Sequence, residues 1–196
     1  MANAFNANAK VWALDSVDLL SHKNKSDANS GFVPTCIRMV RFRPAATTDT
    51  CIFNTIQPSA TPDLAIASDT YTVTNTARIT DASSGAVFNG AAVGDWAHLI
   101  NGSGVNEGWY LITAVDGSKH YIDVAYSTRV LTNETSKLYT IDIYTPETCM
   151  YLICETGDTG AKAIKTEVID WGPQGRYFTN IALGTIGGGT VDVYLK

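Results

Sequence analysis

Apolar and polar residues alternate with a period of two along much of this chain. Tyr139, Ile141 and Ile143 alternate with Leu138, Thr140, Asp142 and Tyr144; Val191, Val193 and Leu195 alternate with Asp192, Tyr194 and Lys196. Successive side chains of an extended strand point to opposite faces, so this alternation predicts half-buried strands. Further strand-like runs cover 37–43, 51–56, 71–73, 96–100, 109–115, 121–126, 149–154, 166–169 and 177–183. Turn signals separate them: Arg43-Pro44, Asp116-Gly117, Thr145-Pro146, the 156–160 segment, Gly172-Pro-Gln-Gly175 and Gly187-Gly-Gly189. One stretch has a rival period. Val11, Leu14, Val17 and Leu20 recur every three residues, and a short helix or a strand fits 11–20 equally. Many short strands with turns at near-regular spacing predict an all-β protein built as a sandwich or barrel.

The order of the runs predicts a nested organisation. Segments 57–62 and 131–136 are loop-like, and the stretch between them is richer in Gly, Ala and Asn. The expected arrangement is an N-terminal arm over 1–10, an outer β-sandwich from 11–58 plus 137–196, and a small β domain inserted at 60–136. Insertion at an exposed loop is tolerated when its two ends lie close together.

Composition narrows the function classes. Hydrophobic residues make up 45% of the 196, whereas charged residues make up only 17%, below the usual quarter. The balance is Thr, Ser, Asn, Ala and Gly, a polar but weakly charged surface suited to sheets that pack against neighbours. A net charge of -5 argues against a dedicated nucleic-acid binder, which clusters Lys and Arg against phosphates. The first ten residues lack the basic and apolar regions of a secretory signal, and no run is long enough to cross a bilayer, so assembly in a cytoplasm is expected. Cys36, Cys51, Cys149 and Cys154 form no C-x-x-C pair, and in a reducing compartment they are expected to be small buried hydrophobes rather than disulfides or zinc ligands. Asn24-Lys-Ser26, Asn101-Gly-Ser103 and Asn133-Glu-Thr135 match the glycosylation pattern and are expected to be polar loops.

Few residues suggest chemistry. Gly102-Ser103-Gly104 lacks the G-x-S-x-G frame of a nucleophile elbow. Gly184–Thr190 lacks the Lys-Ser/Thr of a phosphate loop, and a bulged turn between two strands explains it. His22, His98 and His120 are dispersed. Asp95-Trp96, Glu107-Gly-Trp109 and Asp170-Trp171 place carboxylates near aromatics, as a glycosidase would need, but chance gives such neighbours among 19 acidic residues. The segment around Asp158 has too few acids for a calcium loop. No enzyme activity, cofactor or metal is expected.

Two features suit an interaction surface. Arg38, Arg41 and Arg43 are the main basic concentration, with Arg41 and Arg43 on the strand face opposite Val40 and Phe42; a solvated face and a contact with an acidic partner or a nucleic-acid backbone are the two readings. The arm carries a single Phe5, which is either frayed or an anchor that adds to a neighbour's sheet edge.

The stretch Val87-Phe-Asn-Gly-Ala-Ala-Val-Gly-Asp95-Trp-Ala-His-Leu-Ile100, with Asn106-Glu-Gly-Trp-Tyr-Leu-Ile-Thr-Ala-Val-Asp116 and Tyr121-Ile-Asp-Val124, resembles a small β module of bacteriophage virion proteins. The ending, Gly172–Asn180 through Gly187–Lys196, is similar in style to the closing strands of phage capsid-associated β-sandwich proteins. The resemblance implies a jelly-roll or Ig-like sandwich with an inserted barrel-like domain and no catalytic residues. It implies a capsid decoration (cement) protein on the virion surface whose partners are the major capsid protein and further copies of itself, a trimer being one arrangement, with no nucleic acid or membrane contact. Phe5, Val11, Trp12, Arg41 and Arg43 are the expected interface residues. A tail, adaptor or fibre-associated protein shares the module. A carbohydrate-binding module, stacking sugars on Trp96, Trp109 or Tyr126, is the alternative of a different class.

Overall fold

A computed structural model describes residues 4–16, 18–20, 34–57, 61–83, 85–100, 103–125, 131–153 and 166–196. Among them are sixteen strands and one 3-10 turn, and no α-helix. The strands are β1 (Ala4–Asn6), β2 (Val11–Leu14), β3 (Asp18–Leu19), β4 (Thr35–Arg43), β5 (Thr50–Thr55), β6 (Leu64–Thr74), β7 (Arg78–Asp81) and β8 (Trp96–Ile100). They continue as β9 (Gly108–Val115), β10 (Tyr121–Ala125), β11 (Glu134–Tyr144), β12 (Glu147–Ile153), β13 (Glu167–Asp170), β14 (Arg176–Phe178), β15 (Ile181–Ile186) and β16 (Thr190–Leu195). The fold is all-β, as the alternation predicts, and the ambiguous 11–20 stretch contributes the strands Val11–Leu14 and Asp18–Leu19.

The chain divides into two compact units. One comprises Met1–His22, Phe32–Thr55 and Thr148–Lys196, the other Lys23–Gly31 and Ile56–Glu147. Residues 137–147, assigned from sequence to the outer domain, belong to the second unit. The reason is pairing: β11 is hydrogen-bonded to β6 on one side and β8 on the other.

The first unit is a sandwich of two sheets. The larger runs β1-β2-β16-β4-β13, with β14 following β13 along the same side of β4, and the smaller runs β12-β5-β15-β3. One apolar cluster joins them. Leu14, Ile37, Val40, Phe42, Val191 and Val193 come from the large sheet, and Cys51, Phe53, Met150, Leu152, Ile181 and Leu183 from the small one. Burial of each large aliphatic or aromatic side chain stabilises by roughly 1.5–3 kcal/mol. Residues 177–183, expected as one strand, are two strands in different sheets. The chain breaks at Asn180, whose φ of 45° lies in the left-handed region that ends an extended run. The glycine-rich 187–189 turn then carries it back from small sheet to large. Gly189 has φ of 80° and lies so close to the Arg43 carbonyl that a Cβ there would collide with it.

The second unit is a closed six-stranded barrel in the order β10-β7-β6-β11-β8-β9. Closure leaves no free sheet edge. Inward positions hold Tyr71, Ile79, Leu99, Tyr110, Ile112, Ile122, Tyr139 and Ile141, all fully buried. The turns follow the sequence signals. Gly94 turns at φ of 99°, Asp95 accepts the Ala92 N–H at 2.8 Å, and the Asp116 N–H returns to the Tyr121 carbonyl across the 117–120 turn.

Candidate interaction surface

The outward face of the large sheet gathers most of the expected interface residues. Leu14, Val40, Phe42, Val191 and Val193 point into the core, so by alternation Val11, Ala13, Met39, Arg41, Asp192 and Tyr194 point out. Register places them side by side: Val11 opposite Tyr194, Tyr194 opposite Met39, and Ala13 opposite Asp192, which faces Arg41. Val168 continues this last row on β13 and is exposed. An open groove lies on this face, lined by Asn6, Ala7, Asn8, Ala9, Val11, Ala13 and Tyr194. Its small side chains make the concavity, and the Asn6 side chain shapes the turn by accepting the Ala9 N–H at 3.0 Å.

The cations here are engaged within the sheet. Arg43 forms an ion pair with Asp192, and the Arg41 guanidinium lies 5.4 Å from the centre of the Tyr194 ring. Both arginines do stand opposite the buried Val40 and Phe42. Two of the expected elements are engaged within their own unit. Trp12, half-buried, packs against the sandwich core, because it pairs with the inward Val193. Within the 1–10 arm, β1 pairs antiparallel with β2 of its own sheet, Phe5 opposite Trp12.

The densest polar cluster is in the barrel. The Glu134 carboxylate accepts the Val105 N–H at 2.7 Å, the Asn106 amide at 2.5 Å and the Tyr139 hydroxyl at 2.5 Å. The Asn106 amide also donates to the Thr132 carbonyl and accepts the Thr132 N–H, and Tyr110 donates to the Asn106 carbonyl. Burial pushes the Glu134 carboxyl up, but the three donors outweigh it and hold it below the ordinary glutamate range. Asn106 and Glu134 are almost wholly buried, and Gly104 packs so tightly that a Cβ would strike both Tyr139 and Glu134. This arrangement ties the 103–106 and 132–134 loops to β11; its polar atoms are turned to one another, not to a substrate. Sequence reading missed it, since its members lie up to about thirty residues apart and no local pattern links them.

Other candidates separate in space. Ser103 bonds the Leu138 backbone through its Oγ and its N–H. His98 stacks on Trp109 at 4.1 Å between ring centres, and Tyr144 covers Trp109 at 5.3 Å. Trp96 and Trp109 are buried, so neither presents the open planar face that sugar stacking requires. Asp170 bonds the Gly172 N–H. Cys36, Cys51 and Cys149 are free thiols, and burial pushes Cys51 up to about 12. No group of three or more His, Cys, Asp or Glu among the described residues is placed to hold a metal, and no helix among them is long and apolar enough to cross a membrane. His22, Asn24–Ser26, Asn101, Gly102, Tyr126, Cys154 and the 156–160 segment lie outside the described residues. Compared with known proteins, the chain matches no family model, and no curated protein or solved structure matches it significantly.

Proposed function

We propose that this chain is a non-enzymatic virion structural protein of a bacteriophage, acting as a capsid decoration protein that docks on the assembled shell. The observation that supports this reading best is the outward face of the large sheet. It combines apolar Val11, Ala13, Met39 and Tyr194 with charges held within the sheet, Arg43 ion-paired with Asp192 and the Arg41 guanidinium over the Tyr194 ring. Docking such a face leaves the Arg43 charge with its Asp192 partner and offers Arg41 to an acidic group of the partner, and apolar anchors within a polar rim are what protein interfaces use. The mechanism is mechanical. A protein that covers the joints between coat subunits binds the assembled shell and not the free subunit, and stabilises the shell by mass action.

The test is co-sedimentation of the purified protein with expanded, undecorated capsids of its cognate phage, with free coat protein as control. Saturable binding to shells alone is expected. Absence of shell binding overturns the decoration reading, and binding to isolated tails would transfer the proposal to a tail or adaptor role.

A further inference from the structure

The 86–91 segment of the barrel unit makes two tight turns in succession. The Asn89 N–H donates to the Ala86 carbonyl, and the Ala91 N–H donates to the Phe88 carbonyl, each at 3.1 Å. Asn89 and Gly90 are the two central residues of the second turn. Gly90 has a φ of 109° and Asn89 stays out of the positive-φ region. That is the pattern of a type II turn, which calls for glycine at its third position. Both central residues are exposed. Their neighbours are anchors, Phe88 being fully buried and Ala91 only 7% exposed.

An asparagine side-chain amide is an electrophile, and the backbone nitrogen of the next residue is the nucleophile nearest to it. Ring closure between them needs that nitrogen unengaged and unshielded. Among the described residues, the Asn89 amide and the Gly90 N–H have no hydrogen-bond partner. Gly90 has no side chain to cover its nitrogen, and a Cβ there would meet only Leu64 Cδ2, at 3.8 Å. Each of the other described asparagines is followed by a residue with a side chain, and Asn106 is further tied down by its three side-chain hydrogen bonds. Asp116-Gly117, the comparable aspartate pair, is guarded differently. Its carboxylate accepts the Ser118 hydroxyl and the Gly117 N–H, which help hold it below the ordinary aspartate range. An ionised carboxylate is a poor electrophile, and there the glycine nitrogen is engaged.

We propose that Asn89 is a site of spontaneous covalent modification, losing its amide nitrogen through attack by the Gly90 backbone nitrogen. The Gly90 nitrogen bonds to Asn89 Cγ, the Cγ–Nδ2 bond breaks, and ammonia leaves with the proton that Gly90 gives up. The product is a five-membered cyclic imide. Water then adds to one of its two carbonyl carbons and opens the ring, giving aspartate or isoaspartate. In a type II turn the Gly90 nitrogen faces away from Cγ, so a flip of the Asn89–Gly90 peptide precedes attack. The flip leaves Phe88 and Ala91 in place, and glycine tolerates either orientation. One turn hydrogen bond, from Ala91 to Phe88, opposes it, and a single bond of that kind holds a step back by roughly two- to tenfold. Asn89 in the folded protein therefore reacts within about tenfold of its rate in the unfolded chain. Both products add a negative charge to the turn. Isoaspartate also routes the backbone through the side chain, lengthening the path between the two buried anchors.

The experiment incubates the intact chain in mildly alkaline buffer, once folded and once in concentrated guanidinium chloride, and follows its peptides by mass spectrometry over time. Conversion reads as the mass gain of an amide becoming an acid, together with a separately eluting isoaspartyl form. Fragment-ion sequencing assigns the position, so Asn101-Gly102 is scored apart from Asn89. In the folded protein Asn89 is expected to convert within about tenfold of its unfolded rate, and ahead of Asn6, Asn8, Asn75 and Asn133. Asp116 is expected to yield isoaspartate more slowly than Asn89 does. A folded rate at Asn89 more than about tenfold below the unfolded one overturns the inference. So does equal conversion at any of those four asparagines, or isoaspartate forming at Asp116 as fast as at Asn89.

Discussion

Replacing Asn106 by alanine tests the polar cluster that ties the barrel loops to β11. The Asn106 side chain makes three hydrogen bonds: to the Thr132 carbonyl at 2.8 Å, from the Thr132 N–H at 2.9 Å, and to Glu134 at 2.5 Å. It is 1% exposed, so water cannot take over these bonds without opening the barrel. Truncation strips the Thr132 N–H and carbonyl of their partner and removes one donor from a buried carboxylate. Each stranded group costs about 1–3 kcal/mol, so the variant should destabilise the barrel by roughly 3–5 kcal/mol, a large share of a typical domain's 5–15 kcal/mol. The assay is urea unfolding followed by tryptophan emission in a Trp12→Phe, Trp171→Phe background. That leaves Trp96 and Trp109, both in the barrel, as reporters. The midpoint should fall with little change in the slope that reports exposed surface. A loss below about 1 kcal/mol would refute the reasoning, because it would mean these groups find water in the native protein.

Three further outcomes follow from the same structure. The folded Glu134 carboxyl lies below its ordinary value of 4.5; its contribution is therefore complete above that value and lost as pH falls through the folded pKa. Acid titration of barrel unfolding should show this loss, and Glu134→Gln should flatten it. Asp95 and Asp142, which burial holds above the usual aspartate range, act with the opposite sign, so the difference between wild type and variant isolates Glu134. Gly189→Ala should destabilise the sandwich by more than about 1 kcal/mol in thermal unfolding, since its φ of 80° and the nearby Arg43 carbonyl both exclude a side chain. Cys51, fully buried with its thiol raised to about 12, should resist alkylation in native protein and react only on unfolding, as peptide mass spectrometry would show.

Where two faces of a strand meet different environments, the sequence showed it. Tyr139, Ile141 and Ile143 are buried while Thr140 and Asp142 are less so, and β11 was legible for that reason. Its first turn was not. Glu134 to Lys137 resembles a loop because Ser136, at φ of 53°, bulges the strand. β7 went unseen because Arg78–Asp81 offers one apolar side chain, Ile79, in four residues. The three-residue period over 11–20 was accidental: Leu14 reaches the core from a strand and Leu20 from the bend that follows one. At the candidate surface, Val11 and Arg41 share a face because β16 lies between their strands, a pairing between residues far apart in sequence. The packing of Trp12 on the core was not legible for the same reason, since inward and outward are fixed only once Val193 is known to pair with it.

The most direct test of the account is shell binding by a variant that fills the groove without touching the core. Ala13→Arg places a long cation in the groove on the outward face, beside the Val11–Tyr194 pair and opposite Asp192, while Leu14 next to it stays buried. With its thermal stability within a few degrees of wild type, this variant should lose co-sedimentation with undecorated capsids by at least about tenfold, the scale of one well-buried interface anchor. Undiminished binding by the folded variant would contradict the claim that this face is the docking surface.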